Sequence, residues 1–141
     1  MTAPSTYSRT FSPDVLAGKR ILITGGGTGL GKKLARQLSA QGAAVHICGR
    51  RDAVLQATVV ELTATAAFGG CVSAHVCDVR DADQIEAMVE RIWQGGPLTG
   101  LVNNAAANFI SPSVDISPRG FAAVRSTVMD GALFRCGCGV E

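Results

Sequence analysis

The 141-residue sequence has no excess of charge of either sign: 13 Lys and Arg stand against 11 Asp and Glu, a formal net charge of +2. That balance argues against nucleic-acid and membrane-surface partners. The basic residues are scattered, apart from the pairs Lys32-Lys33 and Arg50-Arg51. No apolar run approaches the roughly 18 residues that a membrane-crossing helix needs. The opening stretch MTAPSTYSRTFSPDVLAGK lacks the basic-then-apolar layout of a secretory signal, so the expected compartment is the cytoplasm. Aromatics are scarce, at 5%, and the single tyrosine is Tyr7, which leaves no phenol for chemistry in the body of the chain. The five cysteines are odd in number and have no framework spacing, against a disulfide scaffold. Cys48, Cys71 and Cys77 fall in or beside apolar runs and are expected as reduced core thiols. Cys136-Gly-Cys138 has no third and fourth ligand nearby, so no metal site is expected there. His46 and His75 sit inside expected strands, as packed or edge residues rather than ligands.

What is present is an ordinary globular balance, 47% hydrophobic and 17% charged, in a length that suits one domain with a real core. Residues 1–17 read as a flexible leader, 18–135 as the domain, and 136–141 (CGCGVE) as an aberrant tail. Within the domain one pattern recurs. Ile21-Leu22-Ile23 is β-prone and leads through glycines into a helix with Leu30, Leu34 and Leu38 on one face. AAVHICG is a second strand, followed by a helix opening at Asp52 as N-cap, with Leu55, Val59 and Leu62 inward. CVSAHVCDV is a third, and its helix starts near Asp81 with Gln84 in a capping-box arrangement and Ile85, Val89 and Ile92 inward. LTGLVNNAA is a fourth, before a helix capped by Ser117-Pro118 and bearing Phe121, Val124 and Val128. Four alternations of short apolar strand and helix specify an α/β fold: a Rossmann-type doubly wound parallel sheet, incomplete at about four strands.

The glycines lie where a strand hands over to a helix. Exposed N–H groups there, with the positive end of the helix dipole, favour an anion, and glycines let a pyrophosphate approach the backbone. The spacing is TGxxxGxG, from Thr24 to Gly31. NNAA follows at Asn103–Ala106, and Asp78-Val79 ends the third strand. With these three motifs in order, the chain resembles the short-chain dehydrogenase/reductase family from about residue 16 to 135, with alanine where the usual NNAG has glycine. The resemblance implies a dinucleotide held by Gly25, Gly27, Thr28, Gly29, Leu30 and Gly31. It further implies Asp78 and Val79 near the adenine, Asn104 along the cofactor, and Asn103 as a structural tie. Asp78 is alternatively a strand-end carboxylate capping a turn.

At the end of the second strand an NAD-binding protein would carry an acidic side chain for the ribose 2′-hydroxyl. Gly49 stands there, followed by Arg50 and Arg51, whose guanidinium groups match a 2′-phosphate. The expected cofactor is therefore NADP(H), with solvated loop arginines as the alternative.

The phrases ITGGGTGLGK and NNAAANFISP…ISPRGF are similar to the 2,4-dienoyl-CoA reductase branch, which reduces conjugated acyl-CoA thioesters in fatty acid metabolism. That resemblance implies substrate contacts at Arg80, Phe109 and Ser117. The residues also read as a solvated helix-start charge, a core aromatic and an N-cap. Three residues before Gly131, where family members usually place a proton-relay asparagine, stands Val128. The family's catalytic tyrosine and lysine follow a fifth strand, whereas here Tyr7 is in the leader and no lysine follows Lys33. The expectation is a truncated oxidoreductase represented by its cofactor-binding portion, or alternatively a catalytically inactive nucleotide-binding fragment. Partners implied are NADPH/NADP+, an acyl-CoA or other small enoyl or carbonyl substrate, and further copies of the chain, the family being usually homo-oligomeric.

Overall fold

Branched apolar runs without polar alternation build strands that are covered on both faces. In the computed structural model, which describes residues 12–107, 112 and 115–132, these are β1 (Arg20–Thr24), β2 (Ala44–Gly49), β3 (Cys71–Val76) and β4 (Gly100–Val102). They form one parallel sheet in the order β3-β2-β1-β4. Ile23 is in register with both Ile47 and Val102, so β1 is central. The parallel crossovers run through α1 (Gly29–Ala40), α2 (Asp52–Thr63) and α3 (Ala82–Trp93). This is the expected doubly wound α/β arrangement.

Successive strand residues point to opposite faces and so divide the core in two. Ile21, Ile23, Val45 and Ile47 pack with Ala35 of α1 and with Leu55 and Leu62 of α2. Leu22 and Cys48 pack on the other face with Ile85, Met88, Val89 and Ile92 of α3. Packing begins slightly before residue 18: Leu16 lies against the first cluster, and its N–H donates to Gln41 O at 3.1 Å.

The α3 start follows its sequence signal. Asp81 accepts from Gln84 N at 3.1 Å, and Gln84 Nε2 donates back to Asp81 Oδ2 at 2.8 Å. Asp81→Ala is expected to cost about 1 kcal/mol, the usual worth of such a cap, read as a lowered urea midpoint. A variant as stable as the parent would deny the cap that role.

Several expectations need correction. The buried stripe of α1 is Gly31, Ala35 and Ser39, not the leucines; Leu30 is 72% exposed and Leu34 40%, while Leu38 is half-buried. Small residues let α1 lie close to the sheet, which the neighbouring leucine stripe would prevent. Asp52 is the first residue of α2 rather than its cap; Arg51 holds the cap position without a side-chain bond. Asp52 instead accepts from Gln56 Nε2 at 3.1 Å within the first turn, where the helix dipole favours a carboxylate. Cys48 and Cys77 are buried, but Cys71 is exposed at the start of the edge strand β3.

His46 and His75 are packed and face one another across β2 and β3, with Nδ1 of one 3.0 Å from Nε2 of the other. The fourth helix, α4 (Pro118–Arg125), starts as expected, with Ser117 Oγ accepting from Gly120 N at 3.1 Å. It continues into a π-helical turn, Ser126–Asp130. There Ser126 and Thr127 hydroxyls both donate to Ala123 O, which competes with the regular helical bonds and widens the turn. Phe121 and Val128 are exposed on this segment. Phe109 and Cys136–Cys138 lie outside the described residues, as does the 136–141 tail.

Candidate nucleotide-binding site

Parallel strands all release their loops at the same edge, and in such sheets ligands bind outside the carboxyl ends of the strands. The loop after β1 shows why its glycines are needed. Gly25 has φ +66°, a conformation that L side chains rarely adopt. At Gly26, a Cβ would meet Ile47 Cγ2 at 2.5 Å. The loop is also tied from outside: Thr58 of α2, itself buried, donates to Gly27 O at 2.9 Å.

A cleft of about 120 Å3 opens beside this loop, lined by Gly25, Gly27, Thr28, Arg50 and Arg51 with Cys48, Gly49, Val54 and Leu55. Five of the residues expected at a cofactor thus lie together, drawn from the ends of β1 and β2. Cys48, Val54 and Leu55 were not foreseen there. Leu55 reads as core from its helical spacing, which it is, but its side chain also floors the glycine loop: a Cβ on Gly27 would stand 3.2 Å from it. Gly29 and Leu30 open α1 on the exposed side of the same loop.

The switch point between β1 and β4 is stapled by Thr24 and Asn104. Thr24 Oγ1 accepts from Asn104 N at 3.0 Å and from Ala105 N at 2.9 Å. Asn104 Nδ2 donates to Thr24 O at 2.9 Å and to Gly25 O at 3.3 Å. The side chain of Asn104, the residue expected along the cofactor, thus also ties β4 to the end of β1. Thr24 opens the TGxxxGxG motif, but nothing within that stretch signals its cross-strand partner.

Asp78 and Arg80, expected at the adenine and at the substrate, come together in an ion pair. Arg80 Nε donates to Asp78 Oδ1 at 2.9 Å and Nη2 to Oδ2 at 2.5 Å. That hydrogen-bonded pairing, ahead of the Arg80 and Arg50 charges, holds the Asp78 carboxyl at about 2, below its ordinary 3.8. Val79, between them, is buried in the second core cluster. Ser117 caps α4 and is exposed.

Known proteins share this fold. Residues 19–137 match the short chain dehydrogenase family. A peroxisomal 2,4-dienoyl-CoA reductase of Arabidopsis thaliana is 38% identical over 127 residues, which cover 89% of this chain and 42% of the relative. The solved structure of a citronellol catabolism dehydrogenase from Pseudomonas aeruginosa superposes with a TM-score of 0.82 at 36% identity, over 93% of this chain and 53% of that one. A metagenomic short-chain oxidoreductase solved in complex with NADP gives a TM-score of 0.80 at 28% identity, over 88% and 56% of the two chains. The chain therefore spans about half the length of the proteins it matches. With the family matched over residues 19–137, most of its length, the chain belongs to the short-chain dehydrogenase/reductase family.

Proposed function

We propose that this chain is the cofactor-binding portion of an NADP(H)-dependent oxidoreductase. The observation that carries the reading is the cleft in which Arg50 and Arg51 stand across from the Gly25–Thr28 loop, with glycine, not a carboxylate, ending β2. A bound dinucleotide fits this donor chemistry. The amides at the start of α1 favour its pyrophosphate, the guanidinium pair suits a 2′-phosphate, and Val54 and Leu55 give the cleft an apolar wall. When bound, the cofactor supplies the hydride; the residues of this chain hold and orient it. A metagenomic relative solved with NADP supports the same choice.

For the substrate class we propose an enoyl- or dienoyl-CoA thioester, on the likeness to a protein named 2,4-dienoyl-CoA reductase. Arg80, one of the residues expected to contact it, is already paired with Asp78.

Calorimetric titration of the 141-residue chain with NADPH and NADH tests the cofactor reading. NADPH is expected to bind at least about tenfold more tightly, the worth of one or two charge-assisted phosphate bonds. Equal affinities would remove the role given to Arg50 and Arg51.

A further inference from the structure

Parallel pairing carries β2 and β3 off the sheet side by side. Gly49 is in register with Val76, and Cys77 N donates to Gly49 O at 2.9 Å. The residues that follow are Arg50, which lines the cleft, and Asp78. A carboxylate thus stands two residues beyond β3, on the side of the arginine on which the proposed recognition of a 2′-phosphate depends. Unpaired, it would oppose the phosphate and draw the Arg50 guanidinium to itself.

It is not unpaired. Arg80 Nε donates to both carboxylate oxygens, at 2.9 and 3.2 Å, Nη2 donates to Oδ2 at 2.5 Å, and the Arg80 backbone N–H donates to Oδ1 at 3.0 Å. The local chain forces this chelate. Val79 is buried among the residues under α3, so its two neighbours both project outward. Asp78 N donates to Gln84 Oε1 at 3.0 Å and Asp81 N to Asp78 O at 3.0 Å, which pins the turn to the start of α3. A fork held two residues from its carboxylate loses little side-chain freedom when it closes.

We propose that Arg80 is a positioning residue for cofactor choice: by chelating Asp78 it neutralises the carboxylate that follows the strand beside Arg50 and leaves Arg50 free for the 2′-phosphate. The inference rests on the NADP(H) reading above. In this role Arg80 need not touch the cofactor. It removes an opposing charge that the strand end would otherwise present.

The test measures binding of adenosine 2′,5′-bisphosphate and of 5′-AMP, two probes that differ by the phosphate in question. The 141-residue chain is compared with Arg80→Ala, Arg80→Lys, Asp78→Asn and the double variant Asp78→Asn/Arg80→Ala. Arg80→Ala is expected to lower the preference for the bisphosphate on the order of tenfold, from one unmasked charge beside the cleft, and the loss should shrink at raised salt. Arg80→Lys should restore part of it, keeping the charge but not the fork. The double variant should recover the parental preference, because the opposing charge has gone with its mask. Melting curves separate this from simple unfolding: a structural clamp alone would weaken both probes alike and leave the ratio unchanged, which overturns the proposal. Failure of Asp78→Asn to rescue Arg80→Ala overturns it as well. A parental chain that binds both probes equally removes the NADP(H) reading, and this inference with it.

Discussion

Gly31→Ala is expected to destabilise the chain by about 2–4 kcal/mol, from overpacking together with loss of the hydrogen bonds it would displace. A Cβ at Gly31 would stand 2.4 Å from Gly25 O and 2.6 Å from Asn104 Nδ2. Neither neighbour is free to retreat. Gly25 lies in the turn that its own N–H bonds to Cys48 O at 2.9 Å, and the Asn104 amide is the staple between β1 and β4. The methyl must therefore push α1 off the sheet or open that staple. Gly29, two residues earlier, is the control. It has φ +56° but nothing within 4 Å of an added methyl, so Gly29→Ala carries backbone strain alone, about 1 kcal/mol. Urea denaturation of the two variants should show the larger loss at Gly31. Equal losses, or a Gly31 variant as stable as the parent, would mean that α1 is not held at that contact.

Lowering the pH from 7 to 5 is expected to remove about 2 kcal/mol of stability through His46 alone. Burial, then the nearby His75 and the Arg20 charge, hold the His46 pKa down at about 4 against an ordinary 6.5. The folded value lies below the unfolded one, so the unfolded chain takes up the proton first. The contribution of the group is complete above pH 6.5 and is lost as the pH falls toward 4. His75 shifts in the same direction, from burial and then from Arg91 of α3, and adds to the loss. Asp78 acts elsewhere: its carboxyl, held at about 2 first by the Arg80 hydrogen bond, gives a contribution lost only below pH 4. Urea midpoints between pH 7 and 5 should therefore fall in the parent and fall less in His46→Val, which removes the titrating ring and keeps a strand-favouring side chain. A parent with flat stability over that range, or a variant with an unchanged slope, contradicts the assignment.

The helices show how far a single stretch of sequence can be trusted to report its own surroundings. In α3 the cap and the apolar stripe agree, and Ile85, Val89 and Ile92 all face the core, because a wide stripe of large residues has one way to be buried. In α1 two stripes compete at the same spacing. Hydrophobicity favours the leucines, yet Gly31, Ala35 and Ser39 are buried. The choice is made by the distance to the sheet, and that distance is set by the glycine turn and by Asn104, 73 positions further along than Gly31. In α4 the apolar residues are legible but their placement is not: Phe121 is 61% exposed.

The alternation of strands and helices, the glycine turn that opens to an anion and the lack of a carboxylate at the end of β2 were all legible along the chain. Each depends on spacing and backbone conformation within a few residues. Folding in three dimensions was needed to show that Thr24 and Asn104 close the switch point and that Thr58 anchors the glycine loop. Such pairings bring hydrogen-bonding groups from separate elements within a few ångströms, and the parallel order β3-β2-β1-β4 places the ends of β1 and β4 next to one another.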